Sequence, residues 1–145
     1  MLIDVIDKQN GIINQFLGDG LIATFGAPIS SGNDCQRAGN AAIEILDRVQ
    51  ESGDKGIFPK TRLGIGIHYG EAITGNVGTE LRKQFSIVGN VVIQASRIEQ
   101  LNKEFHSQLL MSKEVFDRMD HANGESLGPI MLKGESEPLE IIRMR

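Results

Sequence analysis

The sequence predicts an α+β sandwich, with helices packed on a mostly antiparallel sheet. Three observations carry that expectation. Two short apolar runs flank the tight turn Gly18-Asp19-Gly20, which is a β-hairpin signal. Strand-like and helix-like segments then alternate along the chain. Several neighbouring strand-like segments are joined by short turns and read as antiparallel partners. A length of 145 residues is enough for one domain with a real core.

Leu2, Ile3, Val5 and Ile6 form an apolar set that reads as the last turns of a helix, closed by Asn10-Gly11. The chain thus opens inside an element, and an upstream segment, of this or another chain, is expected to complete it. Hairpin strands are expected near residues 11–17 and 21–26, the second ended by Ala27-Pro28. Asn33 or Asp34 is placed to cap a helix running to about residue 52. Its apolar face is Ala38, Ala41, Ala42, Ile45, Leu46 and Val49, small enough to lie close to a sheet. Residues 61–70 alternate apolar side chains with glycines and read as a strand approached closely by another backbone. Strands follow at 72–77 and 84–88, around a turn at 78–82. A helix is expected over 91–102 and a strand over 108–111. Ser112 caps a short helix over 113–119, and two last strands lie near 130–132 and 139–144.

Composition excludes several functions. The chain is 40% hydrophobic and 23% charged, an ordinary globular balance. A net charge of −4 gives no electrostatic case for nucleic-acid or polybasic membrane binding. No apolar run approaches membrane-spanning length. The single cysteine, Cys35, excludes an internal disulfide and fits a reducing compartment, so a cytoplasmic location is expected.

Asp19 stands between two glycines, where a carboxylate projects without crowding, and hard cations such as Mg²⁺ take oxygen ligands of that kind. Such a turn is, by itself, usually only a turn. Its weight comes from an ordered set of segments. These are Phe16-Leu17-Gly18-Asp19-Gly20, Phe25-Gly26-Ala27-Pro28, Gln36-Arg37-Ala38 and Gly64-Ile65-Gly66-Ile67-His68-Tyr69-Gly70-Glu71. Gly75-Asn76-Val77-Gly78, Val88-Gly89-Asn90-Val91-Val92, Ala95-Ser96-Arg97 and Leu132-Lys133-Gly134 complete it. In order and spacing the set resembles the catalytic domain of class III adenylate and guanylate cyclases, from near residue 10 to the end.

That resemblance implies a ferredoxin-like core that dimerises head to tail, as a homodimer or with another cyclase domain, with two composite sites at the interface. It implies attack of a ribose 3′-hydroxyl on the α-phosphate of ATP or GTP, giving a cyclic nucleotide and pyrophosphate in intracellular signalling. It also implies two divalent ions, Mg²⁺ or Mn²⁺, at the reacting phosphate. Asp19 matches the second of the family's two metal-binding aspartates. The first belongs to a Phe-x-Asp-Ile-type segment on a preceding strand, and nothing in residues 1–10 matches it. Arg97 matches the arginine that steadies the pentavalent phosphorus, a role suited to a planar fork of donors. Lys133 matches a lysine that contacts the triphosphate.

Gln15 stands where adenylate cyclases of this family carry lysine and guanylate cyclases glutamate, and Ser86 holds the partner position. Both can donate and accept, so the pair leaves adenine and guanine open. Ile93 departs from the pattern: the family asparagine there orients the ribose, and isoleucine offers no polar atom. An isoleucine is expected to strengthen the helix's buried face instead. His68 reads as a structural histidine and Cys35 as a packing residue. The missing first aspartate and Ile93 leave two alternatives open: a catalytically degenerate module for dimerisation or nucleotide binding, or a fragment of a longer cyclase. Loss of a central strand would expose backbone edges, so the chain alone is expected to be marginally stable, or to associate.

Overall fold

Helix α2 (Asp34–Asp54) and helix α3 (Asn90–Phe105) hold strand β6 (Leu109–Ser112) between them, and all four residues of that strand are buried. The computed structural model describes every residue except 28, 58, 60, 61, 78–83 and 121, with the backbone alone at 76, 77 and 84–86. Strand alternation accounts for the double burial. Leu109 packs on Ala42 and Leu46 of α2, and Met111 sits with Cys35, Val115 and Ile142. Leu110 points the other way, into a cluster with Ile98 of α3, Leu132 and Ile141. Each such side chain stabilises the fold by about 1.5–3 kcal/mol, so this strand is its energetic centre.

Around β6 runs a four-stranded sheet. Strand β3 (Ile65–Ile67) lies parallel to β6 on one side; β8 (Leu139–Arg143) is antiparallel to it on the other, and β7 (Glu125–Ile130) pairs antiparallel with β8. The order is β3-β6-β8-β7. Among the described residues, β6 is the only strand paired with β3, whose other edge carries none. The hairpin β1 (Ile12–Leu17) with β2 (Gly20–Thr24) forms a ladder of its own, as does β4 (Ile73–Val77) with β5 (Gln84–Val88). Strand β1 lies against β5.

Packing attaches the first hairpin to the helices. Helix α1 (Leu2–Lys8) buries Val5 and Ile6 against Ala41 and Ile45 of α2, and Ile13, Leu21, Ala23 and Phe25 close over that cluster. Asn10 ends α1 with φ 58, and the Gly11 amide donates to the Ile6 carbonyl at 2.8 Å, as the Asn-Gly pair predicts. A guanidinium locks the corner. Arg37 donates to the Gln9 carbonyl at 2.6 Å and to Asp34 Oδ1 at 2.5 Å. Burial works against the Asp34 carboxylate, but hydrogen bonds from Ser30, Ser31 and Arg37 outweigh it and hold its pKa below the ordinary value. Gly26 faces that carboxylate at φ 92, and a β-carbon there would overlap it.

The glycine-rich strand explains the seat of α3. Leu63, Ile65 and Ile67 turn toward α2 and the core, while Gly64, Gly66 and His68 turn toward α3. A β-carbon on Gly66 would run into the backbone of Ala95 and Glu99, and one on Gly64 into Glu99 and Asn102. At Gly66 strand and helix therefore touch backbone to backbone, the close approach that alternating glycines in a strand foretell. Asn102, buried, donates from Nδ2 to the Ile65 carbonyl at 3.1 Å and accepts from Ser107 Oγ at 2.8 Å.

Several boundaries shift from expectation. Strand β7 starts at Glu125, ahead of the expected 130, because its ladder with β8 runs back to Glu125 opposite Arg143. Helix α4 (Lys113–Phe116) is one turn and gives way to hydrogen-bonded turns through Met119. The expected strand at 61–70 narrows to three residues, with 60 and 61 outside the described set. The turn expected at 78–82 also lies outside it.

Candidate active site

The β1–β2 turn places Asp19 in water. Gly18 takes φ 57, the positive value that the first central position of a tight hairpin turn needs, and Asp19 follows it, exposed. Among the described residues no hydrogen bond or ion pair engages its carboxylate. Nor does any group of three or more His, Cys, Asp or Glu side chains among them come together as a metal cage. One carboxylate does not fit a pair of divalent ions, each of which takes about six oxygens or more.

Arg97 projects from the first half of α3. Its Nη1 donates to Gln100 Oε1 at 3.3 Å, while its Nε is shut off from water with no hydrogen-bond partner among the described residues. A buried donor left unpaired costs about 1–3 kcal/mol, which marks this guanidinium as incompletely partnered among the described residues.

Ile93 lies one turn before Arg97 on the same face and is 53% exposed. This corrects the expectation that it strengthens the buried face of the helix. The face it occupies is open in the single chain, because α3 turns Gln94, Ala95 and Ile98 inward instead. Other apolar groups stand out from the surface too. Ile73 and Val88 face each other across the β4–β5 ladder at 76% and 63% exposure, and Phe16 and Leu17 are bare on β1.

Gln15 is exposed on β1, just past an irregularity in register between Ile13 and Gln15. Ser86 lies opposite Gly75 in β5, and its side chain falls outside what is described. The contact of β1 with β5 brings these two strands together. Lys133 is exposed in the turn after β7, anchored by buried Leu132 and closed by the Glu135 amide on the Leu132 carbonyl at 3.1 Å. Among the described residues no hydrogen bond or ion pair joins Asp19, Arg97 and Lys133 to one another.

Two neighbouring residues have structural partners. His68 bonds Ser112 Oγ at 2.8 Å through Nδ1 and Gln94 Oε1 at 3.0 Å through Nε2, and burial lowers its pKa. Cys35 packs with Met111, Val115 and Ile142, and burial raises its thiol pKa. A cleft of about 360 Å³ opens at the start of α2, lined by Asp34, Cys35, Tyr69 and Arg118 among others, with the Arg118 guanidinium 4.1 Å above the Tyr69 ring. None of Gln15, Asp19, Ser86, Arg97 or Lys133 lines it. Gln94 went unmarked in the sequence, since a glutamine inside an amphipathic helix gives no sign of what it will face.

With this geometry in hand, comparison with known proteins identifies the class. Residues 4–142 match the family described as the adenylate and guanylate cyclase catalytic domain, and the chain belongs to that family. Its fold superposes on the guanylyl cyclase Cya2 with a TM-score of 0.81 at 29% identity, covering 98% of this chain and 73% of that one. The adenylyl cyclase CyaB from P. aeruginosa gives 0.80 at 25% identity, covering 99% and 76%. Adenylate cyclase 1 of Rhizobium meliloti is 32% identical over 142 residues, 95% of this chain and 21% of that protein. An uncharacterized protein of Mycobacterium tuberculosis is 32% identical over 148 residues, 97% and 26% respectively. The chain thus spans about a quarter of the length of these curated relatives. Among its described residues no helix is long and apolar enough to cross a membrane.

Proposed function

We propose that this chain is one half of a composite purine nucleotidyl cyclase site, completed by a second copy or another cyclase domain, acting in cytoplasmic signalling. The observation that carries the reading is Arg97, whose buried Nε lacks a partner among the described residues beside exposed Ile93. In the reaction the ribose 3′-oxygen bonds to the α-phosphorus, the bond from that phosphorus to the β-phosphate bridging oxygen breaks, and pyrophosphate departs. The hydroxyl proton passes to solvent or to a base. Arg97 holds the equatorial oxygens as charge gathers there, Lys133 binds the triphosphate as a point charge, and Gln15 with Ser86 reads the purine edge. Asp19 would supply one oxygen ligand to an Mg²⁺ or Mn²⁺ ion, and the ion would need its other ligands from groups not gathered around Asp19 among the described residues.

The lone carboxylate and the apolar Ile93 favour a second reading, a degenerate cyclase-homology module that pairs with an active partner. Pyrophosphate release from ATP and from GTP, with Mn²⁺ present, separates the two. The cyclase reading expects turnover that falls by about 10²–10³ in Arg97→Ala and is lost in Asp19→Ala. A folded, associated chain with no turnover on either nucleotide selects the second reading.

A further inference from the structure

We propose that His68, acting through Gln94, is the positioning residue for the Arg97 guanidinium. The inference takes from the cyclase reading only what Arg97 does; what holds Arg97 is read from the packing. At Gly66 the strand lies against the backbone of Ala95 and Glu99, and at Gly70 the chain lies against the Val91 side chain; between these two contacts the gap takes a whole imidazole. The His68 ring fills it and bonds on both sides, to Ser112 Oγ at 2.8 Å and Gln94 Oε1 at 3.0 Å. Ser112 is fully buried at the end of β6, a strand buried along its whole length. Gln94 sits three residues before Arg97 and next to Ile93.

Otherwise the helix start is held by packing: Gly70 lies against Val91, and Gly89 against Glu71 and Ala72. Its N-cap is Gly89, which has no side chain to cap it, and no acidic residue lies in its first turn. Among the described residues the other polar tie between the two segments, Asn102 to the Ile65 carbonyl, is more than two turns further on. Packing at Gly66 seats this part of the helix, and among the described residues the bond between His68 and Gln94 is the directional tie on the turn bearing Ile93, Gln94 and Arg97. A small roll there swings a long arginine side chain by an ångström or more at its tip, a displacement that can cost about 10²-fold in rate.

The protonation state follows from the partners. With Gln94 Oε1 as acceptor, Nε2 carries the hydrogen, and Nδ1 accepts from the Ser112 hydroxyl. Burial of the ring, which lowers its pKa, favours this neutral form. Strand β6 and α3 offer it neutral partners; the charged groups facing it are Glu114 at the start of α4 and Glu135 in the β7–β8 connection. A second proton, placed on Nδ1, makes the Ser112 hydroxyl turn its own proton away inside a buried site.

The test is a pH titration of the ¹⁵N-labelled full chain by NMR, from pH 8 to 5, with Gln94→Leu and Gln94→Glu alongside. The neutral Nε2–H tautomer is expected at pH 8, and the Arg97 amide and Nε–H signals are expected to shift with the His68 midpoint. In Gln94→Leu the Arg97 signals lose that shift while His68 still titrates; Gln94→Glu keeps the acceptor and keeps the coupling. Where the chain turns over nucleotide, Gln94→Leu lowers kcat about ten- to hundredfold with KM nearly constant, and Gln94→Glu restores most of it. A purely structural glutamine would lower the melting temperature and leave kcat per folded molecule unchanged. Arg97 signals that ignore His68, or a coupling that survives in Gln94→Leu, overturn the proposal. Intact coupling in a chain without turnover supports the positioning and sinks the cyclase reading instead.

Discussion

Ile93 leaves apolar surface in water one helical turn from Arg97, where an asparagine would cost the helix almost nothing. Ile93→Asn therefore tests whether this position limits the chemistry. Stability is expected to stay within about 0.5 kcal/mol, as for most surface changes. Cyclic-nucleotide formation is expected to rise by about 10²–10³ if the position governs ribose orientation, a size set by single positioned polar contacts. Asp34 is the residue with the clearest pH signature. Its folded pKa is depressed, so its contribution is present above the ordinary aspartate value and is lost as pH falls through the folded one. Asp34→Ala is expected to cost about 1–3 kcal/mol in urea melts near pH 7, with the difference from the parent shrinking below about pH 4.

At the scale of elements, the strand Leu63-Gly64-Ile65-Gly66-Ile67-His68 and the helix across it share one design. Gly66→Ala puts a carbon where the Glu99 backbone lies, and backbone cannot swing aside as a side-chain tip does. A loss of about 1–3 kcal/mol or more is expected in denaturant melts. Alternating glycines made that close approach legible in the sequence, and the face Ala38, Ala41, Ala42, Ile45 and Leu46 made α2 legible. The orientation of α3 was not. Its sequence is apolar on more than one side, and which side meets the sheet is set by where the glycines of β3 lie, a long-range fact. Ile93 was assigned to the wrong face for that reason. The early start of β7 was hidden similarly, since Gly128 and Pro129 read as turn residues until their partner strand is known.

For the molecule as a whole, Ile73 and Val88, paired across their ladder, leave apolar surface in water, as do Phe16, Leu17 and Ile93. Association through that surface is expected. Ile73→Asp should move any monomer–dimer midpoint in sedimentation to a roughly tenfold higher concentration or more, with the melting temperature of dilute monomer unchanged. The family was legible because its segments recur in order, although each is short. The purine preference was not, because Gln15 and Ser86 each donate and accept.

The separate ladders have a further consequence, for how the fold opens. Asp19 rides on a hairpin with its own two-stranded ladder, whereas the seat of Arg97 is bolted to the four-stranded sheet through β3 and β6. Amide protons of β1 and β2 are expected to exchange ahead of those of β6 and α3 in a hydrogen-exchange series. The carboxylate would then sit on the part of the fold that opens first, and the arginine on the part that opens last.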